Sequence, residues 1–274
     1  MSCYYPLIGL PHGITSSVCY SSHTLNQRAG SSSIPHQHAV DLALYGVSAG
    51  RWQLRGCHPV GAPGDVVVTS AELGLAPGEL VVCVPVARDT ALEPSPTELP
   101  LPLSKRIDRS PVAERCSLSF AWRGISSAYQ GEYPVRMAEL SHGTLVSFDP
   151  LLQSDPAVGT NLVCVVNLCR RVDDAVHSLE CFNAAARRLI RVVPYRSNSC
   201  CLIELDAATA AAGPLVFRSA GSVGIPIFLT LSRPDLPPSM SVEHTHPPTE
   251  LFWEHDRLPG SRLLKASWLG AALR

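Results

Sequence analysis

Three histidines and four acidic residues crowd into SVEHTHPPTELFWEHDR, residues 241–257. His244 and His246 stand two apart, so on an extended strand both imidazoles leave the same face about 6–7 Å from one another. Neutral ring nitrogens so placed can converge on one cation, and Glu250 would extend the set to His-x-His-x-x-x-Glu. A second pair, His36 and His38 in PHQHAVD, would complete a four-ligand site if the fold brought the two segments together. The chemistry implied is that of a divalent transition metal, with His244, His246, Glu250, His36 and His38 as its ligands. A plainer reading competes with it. HTHPP is also what a proline-stiffened exit from a strand looks like, with Phe252 and Trp253 as apolar anchors behind it.

The spacing at 244–250 resembles part of the first metal-binding motif of the cupins, a β-barrel superfamily that holds a transition metal on two histidines, a glutamate and a later histidine. The flanking glycines of that motif are replaced by Pro238 and Arg257, and only 24 residues follow Glu250. No Pro-x-Gly-x-x-His occurs among them. The resemblance is confined to seven residues, and no family assignment rests on it.

Two nucleophile patterns are also present. GVSAG, 46–50, has the Gly-x-Ser-x-Gly order of a serine hydrolase elbow and follows the apolar run VDLALY. An elbow must lead straight into a helix, whereas Ser48 is followed by RWQLRGCHPVGAPG, which reads as strand and turn. Cys57 and His58 are adjacent, and adjacent side chains on a strand point to opposite faces, so they do not form a dyad. A recognition surface is the other kind of site to expect. WRGISSAYQGEYPVRMAEL, 122–140, reads as a loop mixing Arg123, Tyr129, Tyr133 and Arg136, residue types that dominate binding energy where partly buried. Arginines 170, 171, 187, 188, 191 and 196 outnumber the acids around them and form either a local anion-binding patch or a solvated face.

Composition narrows the field. Apolar residues make up 46% of the 274 and charged ones 16%, below the usual quarter or so, which favours burial over disorder. With 22 basic against 23 acidic side chains, the chain lacks the basic surface that duplex nucleic acid demands. No run of 18 apolar residues suggests a membrane span. No charge precedes Arg28, as a secretory leader would require, and none of the ten cysteines falls in a Cys-x-x-Cys pair. Reduced, mostly buried thiols in a cytoplasmic protein are therefore expected.

The elements that must position any site read as strands. APGDVVV at 62–68 and APGELVV at 76–82 repeat a turn followed by an aliphatic run, suggesting two successive strands of a meander. CSLSFAW alternates apolar with small residues, the mark of a half-buried strand. LVCVVNLC is apolar on both faces and fits a central strand in which Asn167 needs partners. RLIRVVPY, CCLIEL, PLVFRS and GIPIFLTL read as further strands, the last placed at a sheet edge by Pro226. DDAVHSLECFNAAARRLI, 173–190, shows three- and four-residue apolar steps that predict a helix, although its first half also alternates. A second helix is expected in RLLKASWLGAAL at the C-terminus.

Together these features predict a mainly β fold, sandwich-like, with a few short helices including one at the C-terminus. The expected organisation is an N-terminal segment over 1–32, a β-rich lobe over 33–90, a Pro-rich linker or loop over 91–115, and a β-rich lobe over 116–274, unless the lobes form one continuous domain. A binding or assembly role, through a protein partner or self-association, is the leading reading. A metal-dependent enzyme using the His-x-His site and a serine hydrolase using Ser48 are the alternatives.

Overall fold

Short aliphatic and β-branched runs, cut every few residues by glycine, proline and asparagine, leave the chain few ways to satisfy its backbone except by pairing strands. A computed structural model describes residues 3–21, 40–61, 65–103, 115–139, 144–148, 155, 157–183, 186–211, 214–220 and 224–244. The described residues form four antiparallel sheets and two five-residue helices, Val135–Glu139 (α1) and Ala207–Ala211 (α2). The chain divides into two compact units. The first comprises Met1–Ala121, Ala128–Val135 and Arg170–Val172; the second comprises Trp122–Ser127, Arg136–Cys169 and Asp173–Arg274.

The strands of the first unit are Cys3–Ile8 (β1), Thr15–Ser21 (β2), Val40–Ser48 (β3), Arg51–Val60 (β4), Asp65–Thr69 (β5), Leu80–Ala87 (β6), Arg115–Trp122 (β7), Ile125–Gln130 (β8, of this unit from Ala128) and Tyr133–Pro134 (β9). They form sheets β4-β3-β6-β1-β9 and β5-β2-β7-β8. The second unit has Thr144–Phe148 (β10), Val158–Asn167 (β11), Val176–Asn183 (β12), Arg188–Arg196 (β13), Ser199–Leu205 (β14), Leu215–Ala220 (β15), Ile225–Ser232 (β16) and Met240–His244 (β17). Their sheets are β10-β15-β12-β13 and β14-β11-β16-β17.

These orders are the same. Adding nine to each of β1–β8 turns β4-β3-β6-β1 into β13-β12-β15-β10, and β5-β2-β7-β8 into β14-β11-β16-β17. Finer detail repeats as well. The β3–β4 ladder slips between Leu44 and Tyr45, leaving Arg55 as the extra residue, and the β12–β13 ladder slips between Cys181 and Phe182, leaving Ile190 as the extra residue. Aligned on these bulges, Tyr45 matches Phe182, Leu54 matches Leu189 and Pro59 matches Pro194. After β5, Thr69 and Glu72 cap a turn reciprocally, each side chain accepting the other residue's N–H at 3.1 Å. After β14, Asp206 caps α2 by accepting the Thr209 N–H at 2.6 Å, which lowers its carboxyl below the usual range.

Alternation decides which side chains are buried. In β12, Leu179 and Cys181 face inward while Val176, Glu180 and Phe182 take the other face. One buried cluster in the second unit draws Leu179, Tyr195 and Phe217 from one sheet and Val163, Ile203 and Phe228 from the other. CSLSFAW is β7, with Cys116, Leu118, Phe120 and Trp122 buried, and LVCVVNLC supplies the central strand β11.

Three expectations are corrected. The helix over 173–190 is instead β12 and β13, because residues 176–183 pair with β13 and residues 180–183 also with β15, and pairing outweighs the helical steps. The two APG runs form β5 and β6, but in different sheets, so there is no meander. Pro226 does not mark an edge. It lies opposite Val165 near the start of β16, which has β11 on one side and β17 on the other. The expected C-terminal helix lies outside the described residues. No helix among the described residues is long and apolar enough to cross a membrane.

None of the ten cysteines, all among the described residues, is in a disulfide; seven are buried, leaving Cys19, Cys57 and Cys169 at least partly exposed. Burial pushes the Cys181 thiol up to about 11 and that of Cys201 up to about 12, so both stay protonated well above neutrality. Titration of the native protein with a chromogenic disulfide at pH 8 should therefore consume at most the Cys19, Cys57 and Cys169 thiols, with the rest reacting only after denaturation.

Candidate functional site

The sequence-predicted sites fare unevenly. Among the described residues no group of three or more His, Cys, Asp or Glu side chains could hold a metal ion, and this overturns the expected divalent-metal cofactor and the metal-binding reading. His244 ends β17 opposite Ile227, while His246, Glu250, His36 and His38 lie outside the described residues. Ser48 closes β3 and pairs with Arg51 across a two-residue turn, Ala49 and Gly50, both at positive φ (49° and 71°). A hairpin strand follows where a hydrolase elbow needs a helix.

Of the predicted recognition loop, Tyr129, Tyr133 and Arg136 occupy regular structure and Arg123 a turn. Tyr133 is buried on β9 opposite Tyr4 of β1, and Tyr129 stacks on Phe120 with ring centroids 6.2 Å apart. Both belong to the first unit, whereas Arg123 and Arg136 belong to the second. Arg123 sits at φ 48° in the turn after β7, lies over the Trp122 ring and donates to the Leu236 carbonyl at 3.3 Å.

A polar group that the sequence did not single out closes one end of the second unit's core. His177 Nε2 and Ser197 Oγ lie 2.9 Å apart, the Tyr195 and Ser219 hydroxyls 2.8 Å apart, and the Cys169 N–H donates to Asn198 Oδ1 at 2.7 Å. The side-chain amides of Asn167 and Asn198 are buried with no acceptor among the described residues. Burial raises the Cys169 thiol, the Ser197 hydroxyl partly offsets this, and Asp173 adds to the rise. A protonated thiol beside a serine that is only 6% exposed does not make a nucleophile for an incoming substrate. The group ties the β13–β14 turn to the core.

The contrast that bears on function is between the two equivalent edge strands, β4 and β13. An edge strand presents unpaired N–H and C=O groups that must be covered, blunted or used. On β4 two of the N–H groups are covered from within. The part of the Pro-rich stretch at 91–103 lies along it, with the Leu54 N–H donating to the Pro94 carbonyl at 2.9 Å and the Trp52 N–H to the Pro96 carbonyl at 3.2 Å. Gln53 Nε2 adds a bond to Ser95 Oγ at 2.7 Å.

The strip is pinned at its far end inside the same unit. The Arg170 carbonyl accepts from the Leu99 N–H at 2.9 Å and from the Trp52 indole N–H at 2.8 Å, and Arg170 Nε returns a bond to the Leu99 carbonyl at 3.1 Å. Glu98 pairs with Arg171 at 2.8 Å. Between strip and sheet lies a cleft of about 330 Å³ lined by Tyr45, Glu93, Leu99 and Arg170 among others. Burial first, then the negative charge that Cys57 and Glu93 can carry, raises the Tyr45 phenol.

On β13 nothing equivalent is present among the described residues. Beyond β12 no described strand pairs with it, and Leu189 and Val192 are 45% and 47% exposed, beside Val176 on β12 at 62%. All three lie on the face opposite the core, since Val192 stands opposite Glu180 and Leu189 opposite Phe182. Arg188, Arg191 and Arg196 are exposed along the same strand. Comparison with family models, with curated proteins and with solved structures finds no match, so function has to be read from these edges alone.

Trp52→Phe removes the indole donor while keeping most of the buried ring. Chemical denaturation should show a loss of about 1–3 kcal/mol, and an unchanged midpoint would mean that the Arg170 carbonyl does not pin the strip.

Proposed function

We propose that the protein is a binding or assembly protein whose second unit accepts an extended segment as an added strand on the outer edge of β13. Each unit is read as a two-layer sandwich, a scaffold rigid enough to hold such an edge straight. The observation that carries this is the exposed apolar pair Leu189 and Val192 on an edge strand nine residues long. Edges of that length are ordinarily blunted, because they recruit other strands.

Strand addition draws affinity from main-chain bonds and specificity from side chains at alternate positions. The β13 edge has the means for both. Pro194, a residue tolerated on edge strands, limits the ladder at its far end. Bulge alignment puts Leu189 where Leu54 gives its N–H away from the sheet, so Leu189 is the outward donor.

Leu189→Pro tests this directly, because it deletes that donor without removing a bond to β12. Peptides selected from a random library on the immobilised full chain should bind the variant at least tenfold more weakly, with the circular dichroism and melting of the variant unchanged. Selected peptides that bind both proteins equally would overturn the proposal.

A further inference from the structure

The first unit already holds an occupant on the edge that corresponds to β13, and its chemistry is informative. The strip over 93–98, EPSPTE, runs antiparallel to β4, since Leu54 bonds to Pro94 and Trp52 to Pro96. Both acceptors are prolines. Proline contributes a carbonyl but no N–H, so such a strip accepts from the donors of the edge strand and returns no donor to it at those positions. On its other side it meets residues 170–172, the Thr97 carbonyl accepting from the Val172 N–H at 3.2 Å.

The positions flanking the outward donor differ in charge between the units, Arg51 and Arg55 of the first matching Ala186 and Ile190 of the second while three other positions change the opposite way. Aligned on the bulges at Arg55 and Ile190, Gln53, Gly56 and Gly61 of the first unit correspond to Arg188, Arg191 and Arg196 of the second. The covered edge is neutral at these positions and the bare edge carries three arginines, all exposed. Glu180, opposite Val192 on the outer face, is already held by Arg218, which also lies over the Phe182 ring. Arg191 donates to the main-chain carbonyl of Glu204 at 3.0 Å rather than to a carboxylate.

We infer that the β13 edge takes an extended, acidic, proline-containing segment of a partner protein, laid antiparallel so that its carbonyls accept from Leu189 and its carboxylates meet Arg188, Arg191 and Arg196. The inference rests on the strand-addition reading above and adds the class of partner. Apolar side chains at alternate positions of the segment would cover Leu189 and Val192, as the strip over 93–98 covers Leu54, which is less exposed than Leu189.

The probe is a fluorescent synthetic peptide carrying the chain's own residues 91–100, ALEPSPTELP, followed by anisotropy against the full chain. Two control peptides replace both glutamates by lysine, or Pro94 and Pro96 by alanine. Saturable binding to the wild type is expected, weakened about tenfold or more by the double variant Arg188→Glu with Arg191→Glu. The lysine peptide should bind that double variant better than it binds the wild type. Absence of saturable binding, or equal binding by the charge-reversed chain, overturns the assignment of the partner. If Leu189→Pro abolishes binding of the original and alanine peptides alike, and these bind the wild type equally, strand addition stands and the proline requirement falls. Binding that is indifferent to Leu189→Pro overturns both readings.

Discussion

Every strand at the margin of a sheet has N–H and C=O groups that the sheet itself cannot pair, and this chain meets that constraint at two matching positions in two different ways. On β4 the N–H part of the requirement is met at Trp52 and Leu54 by a strip of the chain's own backbone whose prolines accept bonds and offer none. The buried Trp52 locks the strip by sharing the Arg170 carbonyl with Leu99. On β13 a strand of the same register is left with Leu189 and Val192 facing outward. The functional reading follows from the difference between these two edges.

That difference has meaning only because the two units share a plan. The same eight-strand order appears twice, and the ladder slips at the same step, with Tyr45 and Phe182 just past the bulge on one strand and Pro59 and Pro194 four residues beyond the extra residue on the other. A bulge fixes register, because a slip of one residue would turn every side chain to the opposite face. Position-by-position comparison of β4 with β13 is therefore a comparison of equivalent donors. Replacement of Gln53, Gly56 and Gly61 by arginines then becomes a change in what the edge attracts, on an unchanged backbone frame.

Much of the strand content was legible in the sequence, and the reasons are local. Alternation in CSLSFAW placed the buried face of β7, and the unbroken apolar run around Val163–Val166 marked a strand paired on both sides. What failed depended on partners far away in sequence. Val176, Leu179 and Phe182 satisfy a helical step and an alternating one equally well, and only the ladders to β13 and β15 choose between them. The two APG runs look alike because in each the same tripeptide precedes an aliphatic run, but such local likeness does not specify which sheet the strand joins. The repeat escaped notice because its matched positions share roles rather than residues: along the compared edges Leu54 with Leu189 and Pro59 with Pro194 are identical, whereas Gly56 matches Arg191 and Cys57 matches Val192. The His-x-His pairs had spacing in their favour, but a metal needs converging ligands, and no such group occurs among the described residues.

Amide hydrogen exchange at single-residue resolution, on the free chain near neutral pH, tests the central contrast most directly. The bare-edge account predicts that the Leu54 N–H, bonded to Pro94, is protected, while the Leu189 N–H exchanges at nearly the rate of an unstructured peptide. Comparable protection of the two amides would contradict it, because the β13 edge would then already be covered.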